Sequence, residues 1–175
     1  PEALKLLRFS ADPDKPAVII PNALRTLGGL QDPADDSLLF YWVGPGCIGQ
    51  AALEALAGRE ILSAEQCLRA ALEESDARTR TMLLGLAMKH GEETTRDSAR
   101  AQLEALGRTV DHNPYLNAER VRALAMALRD GDFDTFMGMM THDEPAAVRQ
   151  AAFEGAVQVV RGIMMRSRYA SREAQ

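Results

Sequence analysis

The residues with the most obvious chemical potential lie between positions 44 and 49. Gly44-Pro45-Gly46-Cys47-Ile48-Gly49 has the G-x-G-x-x-G spacing whose backbone N–H groups cradle a pyrophosphate where a strand runs into a helix. That use needs a strand before the glycines and an acid about twenty residues on for the ribose. Glu65 has the spacing, but it falls inside an amphipathic helical pattern and not at the end of a second strand. Cys47, in the first turn of the following helix, is placed where a thiolate is favoured, yet a nucleophile needs a base, and His90, His112 and His142 are all remote. Asp111-His112 and His142-Asp143-Glu144 contain metal-ligating types. Each cluster stands at an expected helix start, where its acids cap the helix, and no His pair occurs at i and i+4. No catalytic residue, cofactor or metal site is therefore expected, and a Gly/Pro-rich turn between helices accounts for Gly44 to Gly49.

The elements that would hold these residues are helical. Ala64, Cys67, Leu68, Ala71 and Leu72 line one helix face, with Ser63 and Gln66 as its capping box. Thr79 to His90 is apolar nearly all round, so a buried helix stopped at Gly91 is expected. Ala99, Leu103 and Leu106 mark the next, and Val121, Leu124, Ala125 and Leu128 the one after it, ended by Asp130-Gly131-Asp132. Phe133, Phe136, Met137 and Met140 define a short helix with Met137 and Met140 in the core. The last is the longest: Asp143 or Glu144 caps it, Pro145 lies in its first turn, and Val148, Ala152, Gly155, Ala156, Val159, Val160 and Ile163 form its buried stripe. In the first third, Leu4 to Phe9 and Val18 to Leu30 read as helices, with Pro21 in the first turn of the second. Leu38 to Val43 is apolar on every face and fits a buried strand or a buried helix; helix is favoured because nothing nearby supplies a second strand.

Composition sets the frame. A chain of 175 residues suits one domain that buries about 70% of its unfolded surface, here residues 1–170 with a tail at 171–175. Hydrophobic residues make up 46% and aromatics only 5%, a mix that favours helix over strand. A net charge of −5 gives no attraction for phosphate backbones, so nucleic acid is excluded as a partner and a basic protein or peptide is favoured. The arginines at 149, 161, 166, 168 and 172 suit the C-terminal end of a helix dipole. Two cysteines, no signal-like segment and no membrane-length apolar run lead to the expectation of a reducing cytoplasm and no membrane partner; a Cys47–Cys67 disulfide stays open.

An arrangement of helix, acidic turn and second helix recurs. The turn aspartates at 32, 76, 111 and 143 are 44, 35 and 32 residues apart, and the helices after the last three carry Arg80, Arg122 and Arg149. This resembles HEAT-type repeats, in which a turn Asp, often beside a Pro, precedes a second helix bearing an inward Arg. The unit from Asp143 to Arg149 matches best, and the Asp32 unit lacks the Arg. The resemblance spans most of residues 24 to 165 and implies an all-α superhelix of stacked helical hairpins; an irregular helical bundle with Asp-capped turns is the alternative. Ala127 to Phe133 is similar to the inter-helix turn of tetratricopeptide repeats, but no regular 34-residue period follows. The stretch from Glu119 to His142 is similar to a helical part of galactokinase-like sugar kinases, whose Gly/Ser-rich phosphate loop is absent here.

Stacked hairpins imply a scaffold or adaptor that binds protein or peptide and has no catalysis of its own. The residues off the core stripes proposed to touch such a partner are Arg78, Arg122, Met139, Arg149 and Met165. Two other readings are a small cofactor-binding enzyme built on Gly44 to Gly49, and a helical domain that dimerises through the Met-rich C-terminal helix.

Overall fold

The apolar stripes become ten α-helices, and among the described residues there is no strand. The computed structural model describes residues 2–107, 113–126 and 131–173, with side chains through Arg166. The helices are α1 (Glu2–Ser10), α2 (Ile20–Gly29), α3 (Asp36–Tyr41), α4 (Gly46–Ala57), α5 (Ala64–Glu73), α6 (Ala77–His90), α7 (Glu93–Gly107), α8 (Pro114–Ala125), α9 (Asp132–Gly138) and α10 (Ala146–Glu173), with a 3-10 turn at Pro33–Asp35. Capping chemistry sets several starts. Ser63 Oγ accepts from the Gln66 N–H, Asp76 Oδ1 from the Thr79 N–H, and Asn113 Oδ1 from the Tyr115 and Leu116 N–H groups. Pro21 sits in the first turn of α2, where its missing N–H costs nothing.

Even-numbered helices pack in chain order, α2 on α4, α4 on α6, α6 on α8 and α8 on α10. The odd-numbered helices cover them: α5 and α7 lie on α6, and α9 lies on α10. The core runs along the inner layer through Leu24, Leu27, Leu53, Leu56, Leu83, Leu84, Met88, Val121 and Val159. Close approach needs small residues. A methyl at Gly28 would stand 2.6 Å from the Cα of Ala55, so α2 and α4 touch almost backbone to backbone.

Several stripes are narrower than expected. On α5 Ala64, Cys67 and Ala71 are buried while Leu72 is exposed. On α9 Phe136 is buried and Met137 is 47% exposed, because the helix has only seven residues and turns a single row inward. On α10, among the side chains described through Arg166, Val159 is the last buried one, so Val160 and Ile163 leave the expected core. Pro145 precedes that helix and does not lie in its first turn: its carbonyl accepts from the Val148 and Arg149 N–H groups, so Pro145 itself holds the cap position, in place of Asp143 or Glu144. The helix continues to Glu173, past the expected start of a tail at 171. Gly91 ends α6 as expected, but with φ −81° and not in the left-handed region.

The first hairpin also differs. α2 pairs with α4, and the run at Leu38 to Val43 is helical as far as Tyr41, with Tyr41 exposed and only Leu39 of the run fully buried. Trp42 anchors it by donating from Nε1 to the Ala11 carbonyl at 2.8 Å. The turn Asp111, with His112, and the stretch 127–130 lie outside the described residues.

Candidate functional site

The glycine turn is built for packing. α3, not a strand, precedes it; Gly46 has φ +90°, and Gly49 lies so close to the Gly44 carbonyl that a Cβ would occupy the same space. The backbone that would cradle a pyrophosphate is folded against its own helix. Cys47 is exposed at the start of α4, and Cys67 is buried. Both thiols are free, and burial, followed by the nearby Asp36 charge, pushes Cys67 up to about 12.

Buried charge concentrates near the N-terminus. Asp35 is 1% exposed and is held by Arg8 Nε; the same guanidinium reaches Asp32 Oδ2 at 2.8 Å. Arg59, equally buried, donates from Nη2 to the Asp32 carbonyl and lies 3.0 Å from Asp36 Oδ1. Burial raises Asp36, and the Arg59 charge pulls it partly back. The cluster ties α1 to the 3-10 turn, and that turn to the residues after α4, which is structural work.

Two of the five sequence-proposed contacts come together. Arg78 Nη2 and Arg122 Nη1 flank Glu119 Oε1 at 3.9 and 3.8 Å, and Arg122 Nε continues the chain to Glu154 Oε2 of α10 at 3.0 Å. Arg78 and Glu119 line a groove of about 490 Å³ with Asp76, Asn113 and Tyr115 at the N-termini of α6 and α8. Its cap residues are occupied with their own helices. Arg149 donates to the Glu144 carbonyl at 2.8 Å and so clasps the turn before α10. Met139 is half-buried against the core, and Met165 is exposed on α10.

The larger apolar surface is elsewhere. α9 and α10 form a groove of about 510 Å³ lined by Phe133, Met137, Met140, Phe153, Val157 and Val160, with Arg161 at its edge. Phe153 is 56% exposed and Met164, one turn past Val160, 52%. Comparison with protein families, curated proteins and solved structures finds no match.

Sequence reasoning placed Met137 and Val160 inside, gave Phe133 only to the short helix, and left Phe153 and Val157 unassigned. A signal was there. α10 carries two apolar rows, one at 148, 152, 155, 156 and 159 and a second at 153, 157, 160 and 164. One helix resting on one neighbouring layer buries one row. The second is left facing outward.

Proposed function

We propose that this chain is a protein-interaction module, a HEAT-like superhelix of stacked hairpins that binds another polypeptide on its α9–α10 face and performs no chemistry itself. The consecutive packing of the even-numbered helices supports the superhelical reading, because in such stacks each hairpin touches its neighbours and leaves a continuous lateral surface. The observation that carries the binding role is the groove itself. Phe133, Met137, Met140, Phe153, Val157 and Val160 converge there with few polar groups; Met137, Phe153 and Val160 are exposed and the rest half-buried, and large side chains that converge while exposed mark interaction surfaces. The net charge of −5 favours a basic partner, while Arg161 lines the groove itself.

A photo-crosslinking residue at position 153 tests the reading in an extract of the native host. Protein adducts are expected at 153 and not at a control position such as 104, exposed on α7. Adducts at neither position would remove the proposal.

A further inference from the structure

The outward row of α10 has a pattern with a specific geometric consequence. Phe153, Val157, Val160 and Met164 are separated by four, three and four residues, the spacing of a coiled-coil seam, and the row lies on the opposite side from Val148, Ala152 and Val159, which face α8 and α9. From Val160 to Arg166 no residue is buried, so about 10 Å of helix past Val159 keeps its side chains open to solvent.

Charge on the same face singles out the occupant. Glu154, 41% exposed and also held by Arg122 and Gln150 of its own copy, and Arg161 occupy equivalent places beside the seam, one heptad apart, with opposite signs. Laid antiparallel on a copy of itself, the helix matches Phe153 with Met164 of the second copy and Val157 with Val160. The same alignment brings Glu154 beside Arg161 of the second copy, twice, because the operation is a twofold. A seam whose apolar layers and flanking charges are complementary to themselves about one axis is the signature of an isologous contact.

We infer that the chain forms a twofold dimer in which α10 of each copy lies antiparallel along α10 of the other, with Met164 of each copy entering the α9–α10 groove of the other at Phe153. This rests on the reading of that face as a protein-binding surface and names its occupant. Phe153, Val160, Ile163, Met164 and Met137 together expose on the order of 400 Å² of side chain. Two copies with their polar flanks reach about 1,000 Å², the lower bound for a specific interface, so dissociation in the micromolar range is expected.

Sedimentation velocity of the intact chain from micromolar to millimolar concentration tests this, with circular dichroism to verify folding of each variant. Arg161→Glu puts two carboxylates together at each end of the seam, and Glu154→Arg puts two guanidinium groups there. Each variant alone should dimerise at least about 10-fold more weakly than the parent, and an equimolar mixture should recover a heterodimer of parental strength. Phe153→Ser should abolish association. A chain that stays monomeric to millimolar concentration overturns the dimer, as does a dimer that tolerates Phe153→Ser or a mixture that fails to recover. Monomeric behaviour combined with crosslinks from position 153 to a different protein would sink the dimer alone and leave the binding face in place.

Discussion

At the scale of single residues, the most consequential contact joins two side chains that the sequence keeps 32 positions apart. Arg100 on α7 grips Asp132, the first residue of α9, through Nη1–Oδ2 at 3.0 Å and Nη2–Oδ1 at 2.6 Å, and Asp132 is only 5% exposed. The Asp132 hydrogen bond is the largest influence raising Arg100, which fits a bidentate, partly desolvated pair. Removing Asp132 leaves the partly buried Arg100 with the half-exposed Glu104 as its remaining ion-pair partner. Asp132→Ala is expected to lower stability by about 2 kcal/mol in urea denaturation, less than for a wholly buried pair because Glu104 stays on Arg100, and adding Arg100→Met should restore most of the loss. Equal instability of the single and double variants would show the pair to be incidental. The thiols give a simpler test: iodoacetamide at pH 8 should modify Cys47 in the folded chain and Cys67 only after unfolding, since burial holds Cys67 protonated and shielded. Two equivalents taken up natively would contradict that placement.

Individual helices were legible where one rule governed them. Asp76 is the clear case. It was expected as a turn acid, and it caps α6 through the Thr79 N–H, whose hydrogen bond is the first cause holding its carboxyl below the ordinary aspartate range. A depressed folded pKa means that the cap's ionic contribution is complete above about pH 5 and is lost as the pH falls through the folded value below 3.9. Asp76→Ala should cost about 1 kcal/mol at pH 7, whereas Asp76→Asn should keep that stability and flatten its decline between about pH 5 and pH 3. An Asn variant as acid-sensitive as the parent would exclude Asp76 as the titrating group. The glycine turn was read as a connection between helices, and α3 and α4 flank it, but its spacing records only where side chains are absent and not what takes their place. What fills the space at Gly49 is the Gly44 carbonyl, so Gly49→Ala should destabilise by about 3 kcal/mol, measured by thermal or urea unfolding. α10 was hard for a related reason. A sequence with two apolar rows does not state which row the fold buries, and Val160 and Ile163 were assigned inward by continuity with Val159. Pairings such as Arg8 with Asp35 and Arg122 with Glu154 carry no local signature at all.

For the molecule as a whole, the order of contacts matters more than their number. Each inner helix touches the inner helix before it and the one after it, and the body from α1 to α4 meets the rest chiefly where α4 lies on α6. In such a chain, disturbance at one end has few routes to the other, so opening should be regional and not global. Native-state hydrogen exchange checks this. Protection should be greatest in α6 and α8, which are flanked by neighbours on several sides, and least in α1 and in α10 beyond Val160. With Asp132→Ala, exchange should quicken in α9 and the adjoining part of α10 while α2 and α4 keep their parental rates. The outcome also bears on the proposed twofold, because a second copy laid along the seam would protect α10 past Val160 as concentration rises. A uniform acceleration in every helix would describe one cooperative unit, and the serial stack would then have no thermodynamic counterpart.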